Sequence, residues 1–355
     1  MGLDVVMGLD VVPFDTRFVE AAAVLLAADH QPAGEAGARL DLSDAEAARR
    51  LVEAWQGTGP AVAAVEDGTL LGFMAATLAD RHDHQLSRIR IHQHACAQRG
   101  KREIYRRLYG ALAGPLTDLG GFEHTVAVSA AHHDVVTCLF ELGFGVDQIK
   151  GLRPVSPIRT VRDVLLREAD AGDMKDLLRL TVELQQFHAR APALRPALVD
   201  LRAIEDDFQA ALTDEDHLLL VAEEQGRLTG MMRAGADNRY LSTATIGIAV
   251  VTASTRSKGV GTALLSGVVS WAADRGFRAC GAEWSSANLV SDAFWRGHGF
   301  TPAGYKLTRL IDARVSWAGT HLDYQYLFPT PWPEHPPITG SPSRSGPRGR
   351  RGRRG

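Results

Sequence analysis

The sequence predicts an α/β protein made of two copies of one unit, and three observations carry that expectation. Landmarks recur along the chain at almost constant spacing. Glu66, Gly68 and Gly72 match Glu224, Gly226 and Gly230, a basic turn at Arg99 matches Arg256, and Gly143-Phe144 matches Gly299-Phe300, at separations of 158, 157 and 156 positions. Self-similarity at a period of one domain marks an internal repeat. Inside each copy, short β-type apolar runs alternate with helical periodicity, as an α/β fold requires. The length of 355 residues holds about two average domains with room for buried cores.

The opening Met-Gly-Leu-Asp-Val-Val is repeated at once from Met7 to Val12. It reads as a duplicated start, so residues 1–13 are expected to be irregular and Met7 to be the true start. The first unit spans 14–153. Helical segments at 17–28 and 45–55 lead into a hairpin of 61–65 with 70–77, turning at Asp67-Gly68. A strand, a basic turn, a long helix, another strand, a short helix and a last strand follow. Pro154 and Pro157 flank a linker at 151–157. The second unit, 158–320, repeats this order, with helices at 173–187 and 202–212 and a hairpin of 218–222 with 228–234. Its long helix, 260–275, buries Val260, Leu264, Leu265, Val268, Val269 and Ala272 at helical spacing. Gly276 ends that helix, and 277–284 reads as the next strand. The tail at 335–355, almost all Gly, Pro, Ser and Arg beyond Gly340, has nothing apolar to bury there and is expected to be disordered.

Between the strand ending at Val251 and the helix starting at Val260 lies the turn Arg256-Ser257-Lys258-Gly259-Val260-Gly261. Two glycines let main-chain N–H groups approach a ligand closely. The helix N-terminus favours negative charge, and Arg256 and Lys258 add cationic donors. The chemistry is that of a pyrophosphate cradle, with a plain helix cap as the alternative. The glycine spacing is that of neither a dinucleotide site nor a nucleotide-triphosphate loop. Downstream, residues 288–300 read N-L-V-S-D-A-F-W-R-G-H-G-F. The R-x-x-G-x-G turn, with this segment in register with N-x-x-A-x-x-F-Y-x-x-x-G-F, resembles the GNAT superfamily of N-acetyltransferases. With its duplication, the chain resembles a tandem GNAT protein from about Phe14 to Trp317.

The resemblance implies two tandem GNAT (acyl-CoA N-acyltransferase) folds, each a mixed, mostly antiparallel sheet flanked by helices. It implies acetyl-CoA or another acyl-CoA as co-substrate, no metal, and direct transfer to a primary amine of a small molecule or a protein N-terminus. Main-chain groups of Ala249, Val250 and Val251 would bond the pantetheine arm. Arg256, Ser257, Lys258, Gly259, Val260, Gly261 and Thr262 would hold the pyrophosphate, with Asn288 and Phe294 beside the arm. The family's tyrosine, often the general acid, is replaced by Trp295, and an indole N–H does not donate a proton near neutral pH. Tyr305 is the nearest alternative phenol, with core packing as its competing role. Glu283, near the end of a strand that would line the acceptor cleft, is the candidate base, or else a solvated carboxylate. His298 reads as a surface-loop residue and His188 as a weaker base. A non-catalytic acyl-CoA-binding scaffold is the competing class.

The first copy departs from the second at its turn, Q-R-G-K-R-E-I over 98–104. Aligned on the basic residues, Arg102 and Ile104 stand for Gly259 and Gly261, with Gly100 out of register and Glu103 repelling phosphate. The segment 134–144 reads as shorter than its counterpart. One working cofactor site, in the second unit, is expected. His82, His84, His92 and His94 cluster in the first unit, but no cysteine or carboxylate completes a metal pattern. A net charge of −3 gives no reason to expect nucleic acid, although six tail arginines could contact it. Three widely spaced cysteines imply no disulfide framework and fit a reducing cytoplasm. No apolar stretch approaches the length of a membrane span, and no export signal is visible.

Overall fold

The computed structural model describes residues 8–30, 42, 44–81, 84–160, 164–196, 200–237, 240, 242–312 and 314–315. The expected tail at 335–355 lies outside them. The first half runs β1 (Asp10–Pro13), α1 (Val19–Asp29), α2 (Ala45–Trp55), β2 (Ala61–Glu66), β3 (Thr69–Ala75), β4 (Thr77–Arg81) and β5 (His84–Ile89). It continues with β6 (His94–Cys96), α3 (Lys101–Asp118), β7 (Gly121–Ser129), α4 (His133–Glu141) and β8 (Gly145–Pro154). The second half runs β9 (Leu165–Glu168), α5 (Met174–His188), α6 (Leu201–Thr213), β10 (His217–Glu224) and β11 (Arg227–Ala236). It ends with β12 (Thr243–Val251), α7 (Val260–Asp274), β13 (Ala279–Ser285), α8 (Leu289–Gly297) and β14 (Thr301–Leu310).

Residues 1–13 were expected to be irregular, but the second copy of the duplicated opening forms β1. It pairs antiparallel with β2, Asp10 facing Val65 and Val12 facing Ala63. The cause is burial: Val11 and Val12 each pack against an apolar core. A small sheet has the order β1-β2-β3-β6, and a large one the order β4-β5-β7-β14-β8-β13-β12-β11-β10-β9. Only β5–β7 and β12–β13 are parallel; the other pairs are antiparallel. Helices α3 and α4 cover one apolar core, and α7 and α8 the next.

The large sheet runs without a break across the linker at 151–157. Strand β8, last of the first half, pairs with β13, while β14, last of the second half, pairs with β7. The units expected at 14–153 and 158–320 have thus exchanged their terminal strands, which also pair with each other. The exchange sets Lys150 opposite Glu283 and, one repeat away, Lys306 opposite Ala127.

Backbone geometry also fixes the register of the repeat. Gly100 and Gly259 both cap their long helices in the left-handed region, at φ 74° and 85°. Ile104 and Ala263 donate to the carbonyls of these caps. Gly100 is therefore in register with Gly259, and Arg102, not Ile104, stands for Gly261. The mismatch in sequence arises because α3 has 18 residues and α7 has 15. Helices α4 and α8 have nine residues each, so the shortening expected at 134–144 is not there.

Candidate active site

Beyond β12 the chain makes a 3₁₀ turn over Ala253–Thr255, then a tight turn with Ser257 at φ 60°, and enters α7 at Val260. Glu183 of α5 accepts from the Ala253 N–H at 2.9 Å. Arg256 Nε donates to the Val251 carbonyl at 3.1 Å, and its guanidinium lies 4.2 Å from the Phe187 ring centre. Arg256 thus ties the turn to β12 and α5. Among the described residues, no protein acceptor meets the N–H groups from Arg256 to Thr262. They stand at the start of α7, where the helix dipole favours an anion.

Phe294 of α8 closes the other side of this turn. A Cβ on Gly261 would lie 3.2 Å from its ring, so glycine lets α8 approach α7. His298 fixes the approach: Nδ1–H donates to the Phe294 carbonyl at 2.7 Å, which leaves Nε2 to accept from Thr262 Oγ1 at 3.1 Å. His298, read from sequence as a loop residue, joins the two helices that frame the turn.

Strands β12 and β13 pair only from Thr243–Ala279 to Ile246–Ala282. Beyond that point β12 keeps β11 alone as a neighbour, with Ala249, Val250 and Val251 facing Met232, Met231 and Gly230. The edge of 247–251 toward β13 is outside the ladder, and the space above Gly247 is open. An unpaired strand edge continuous with unpaired N–H groups at a helix N-terminus fits an acyl-CoA, which carries amide groups and a pyrophosphate.

Glu283 is the first residue of β13 past the last parallel pair. It borders a cavity of about 860 Å³ that spreads over one face of the large sheet and reaches α2. The Lys150 ammonium lies 4.0 Å from the Glu283 carboxylate. Lys150 is buried and donates to Asp237 Oδ2 at 2.6 Å and to Thr245 Oγ1 at 2.8 Å, and Thr245 donates to Asp237 as well. A Cβ on Gly281 would lie 2.9 Å from Lys150 Nζ, so the lysine crosses the sheet over a glycine. Farther along, Arg195 bridges Asp147 at 2.7 Å and the buried Glu123 at 2.6 Å, and Lys306 meets Asp147 at 2.9 Å. Sequence reasoning missed Lys150, Asp237, Arg195 and Lys306. Lys150 had no distinguishing local signal, since β8 also carries Asp147, Gln148 and Arg153.

The other sequence candidates make mainly structural contacts. Tyr305 faces Ile149 and Val128 on its neighbouring strands and packs against both helix-side cores. Glu283 faces Lys150, one residue on from Ile149, so strand alternation points the two side chains to opposite faces, while Tyr305 still contributes to the lining of the cavity that Glu283 borders. Trp295 is core, packed on Trp284, Phe294 and Phe300. Asn288 is buried, and its Oδ1 caps α8 by accepting from Ser291 N at 3.1 Å. Burial lowers the His188 pKa. His82 lies outside the described residues, as does the His84 side chain. His94 donates from Nε2 to the Ala127 carbonyl and accepts from the Tyr105 hydroxyl at 2.7 Å, a core arrangement. No group of three or more metal-ligating side chains occurs among the described residues. No helix among them is long and apolar enough to cross a membrane.

The corresponding place in the first half is filled. Lys101, next to the Gly100 cap, points its ammonium at Asp29 Oδ1, 2.6 Å away, with both side chains buried. His132, the counterpart of Asn288, donates from Nε2 to the Asp29 carbonyl at 3.1 Å. Arg102, in the place of Gly261, is held by Glu141 through Nε and Nη2. Ala127 stands where β13 has Glu283.

Comparison with known proteins finds a family profile and a likeness of fold. The profile of the Acetyltransferase (GNAT) family covers residues 183–300, from within α5 to the turn before β14, and the chain carries a GNAT acetyltransferase domain there. A GCN5-related N-acetyltransferase from Sphaerobacter thermophilus is similar in structure, with TM-score 0.58 and 17% identity over 85% of this chain and 95% of that one. The GCN5-related glucosamine N-acetyltransferase region of a fungal multi-domain GH3 β-N-acetylglucosaminidase gives TM-score 0.52 and 13% identity over 84% of this chain and 38% of that one. A tandem GNAT protein from the clavulanic acid biosynthesis pathway gives TM-score 0.50 and 14% identity over 85% and 98%. At such identities the likeness is one of fold: two GNAT folds in tandem. No curated protein matches the chain in sequence.

Proposed function

We propose that the protein is an acyl-CoA-dependent N-acyltransferase, acetyl-CoA being the expected donor and a primary amine of a small molecule or a protein N-terminus the acceptor. The observation that carries this reading is the continuity of the unpaired N–H groups at 256–262 with the open edge of β12, which begins where β13 presents Glu283. Residues 256–262 hold the pyrophosphate, and the open edge at 247–251 meets the pantetheine amides, with Phe294 and the Asn288 amide nitrogen alongside. Bound acyl-CoA supplies an activated thioester.

Glu283 accepts the proton that the amine nitrogen loses as its N–C bond forms and the C–S bond breaks. Lys150, tied to Asp237 and Thr245, keeps the carboxylate in place. Transfer is direct, in a ternary complex. The thiol of Cys280 is buried in the helix-side core and its pKa is pushed up to about 11 by burial, which disfavours a thiolate relay.

One observation favours a second reading, a non-catalytic acyl-CoA binder. Trp295 holds the position of the motif's tyrosine and is packed into the core, so no phenol there protonates the leaving thiolate. Calorimetry with acetyl-CoA, followed by thiol release across a panel of amines, separates the readings. Binding with release supports the enzyme, binding without release over a broad panel supports the binder, and no binding overturns both.

A further inference from the structure

We propose that the acceptor amine carries a carboxylate or phosphate remote from its reacting nitrogen, and that Arg50, Arg88 and Arg90 of the first half bind that anion. The inference rests on the acyltransferase reading and names its substrate class. The cavity at Glu283 extends from β13 across β8, β14 and β7 to β5 and up to α2. Its cations differ in how they are neutralised. Lys150 is paired with Asp237, and Lys306 shares Asp147 with Arg195. Arg50, Arg88 and Arg90 also line the cavity, but none has a carboxylate partner among the described residues. Among the described residues, the Arg90 guanidinium donates only to Thr77 Oγ1, at 2.9 Å. The contrast on α2 is instructive. Arg49 meets Glu20, Glu46 and Glu53, while Arg50 beside it lines the cavity.

Three guanidinium groups around one concave wall are a recognition set for carboxylate or phosphate oxygens. They do not serve the phosphates of acyl-CoA, since no residue of the 252–262 turn lines this cavity. Geometry restricts the acceptor further. Arg88 and Glu283 lie four strand intervals apart, about 19 Å at the usual interstrand spacing. Even with the arginine reaching inward, a short α-amino acid, whose carboxylate sits two bonds from its nitrogen, does not span the cavity. The lining also includes Leu42 and Leu51, which suits an apolar linking segment. The first half thereby reads the acceptor, while the second half holds the donor.

The test uses matched amines in thiol-release assays on the full chain: hexylamine, 6-aminohexanoate and 6-aminohexyl phosphate, then a tetrapeptide with a free or amidated C-terminus. Anionic members are expected to give kcat/KM about tenfold or more above their neutral partners, the scale of one charge-assisted hydrogen bond. The carboxylate and phosphate arms show which anion is preferred. Arg88→Gln/Arg90→Gln is expected to bring the anionic-to-neutral ratio near one while the acetyl-CoA isotherm is unchanged. Equal rates within every pair, no acetylation of any anionic member, or a preference that survives the double variant overturns the proposal. Failure of acetyl-CoA to bind the wild type overturns the acyltransferase reading instead.

Discussion

Lys150 and Glu283 face each other on β8 and β13 with ammonium and carboxylate 4.0 Å apart, and the exchanged strands repeat the pairing as Lys306 and Ala127. The repeat keeps both lysines but only one carboxylate, so the proposed base occurs in the second half alone. Glu283→Gln preserves shape and removes the base. The expected result is a kcat lower by about 10² to 10⁴, the usual contribution of a positioned base, with an unchanged acetyl-CoA isotherm. A variant that turns over at the wild-type rate would remove Glu283 from the mechanism.

The turn at 256–262 makes its own prediction. Gly261→Glu puts a carboxylate beside N–H groups suited to an anion and pushes against Phe294. Lys258→Glu, at an exposed position, reverses charge without touching the core. Each is expected to weaken acetyl-CoA binding at least tenfold, about 1.4 kcal/mol. The Lys258 variant should keep its melting temperature, which separates loss of binding from loss of fold. Unchanged affinity in both variants would show that the phosphates lie elsewhere.

The first half should take no cofactor. The Asp29 carboxylate, held by Lys101, sits beside the N-terminus of α3 as an internal counter-ion, and His132 bonds the Asp29 main-chain carbonyl. Arg102, locked by Glu141, replaces the second glycine. Calorimetry is therefore expected to give one acetyl-CoA per chain, with the isotherm insensitive to Arg102→Ala. A stoichiometry of two would refute the assignment.

Removing Asp29 tests whether that filling is structural. The Lys101 and Asp29 side chains are 10% and 2% exposed, so Asp29→Ala leaves a buried ammonium unpaired, at a cost of about 3–5 kcal/mol. Asp29→Ala/Lys101→Met removes both charges and should recover most of that loss in denaturant titrations. If the single variant unfolds at the wild-type midpoint, the pair contributes nothing to stability.

Much of this was legible in the sequence because the signals were local. The glycine cap of α7, the periodicity of 260–275 and the Asn288–Phe300 spacing each follow from a few consecutive residues. The register of the first turn was not legible, since three extra residues in α3 shift everything after Gly100 and only the left-handed cap reveals it. The strand exchange and the Lys150–Asp237–Thr245 network depend on pairing between β8 and β13. Residues 87 positions apart meet there, and no periodicity records such a contact. The three cavity arginines were hidden similarly, because solvated and ligand-facing arginines look alike in one dimension.

The buried histidines of the first half predict how stability depends on pH. Burial lowers the pKa of His30 to about 4, with the Asp29 charge opposing and His94 and His132 adding to the shift. Burial likewise lowers His92 to about 4, helped by Arg90. Both lie well below the 6.5 of an exposed histidine. Between these values the unfolded chain binds protons that the folded chain refuses, so stability rises with pH there. The contribution is complete above 6.5 and is lost as pH falls toward 4. Asp173, whose carboxyl is lowered by the Arg167 guanidinium, acts in a separate window, below about pH 4. Melting temperature is thus expected to be flat from pH 8 to 7 and to fall by several degrees between pH 6.5 and 5. Replacing both histidines, as His30→Gln/His92→Gln, should make that fall shallower, the remainder coming from His94, His124 and His188, whose pKa values burial also lowers, and leave the fall below pH 4 in place. A wild-type profile flat down to pH 4.5, or a double variant with the same slope, would mean that other groups govern acid stability.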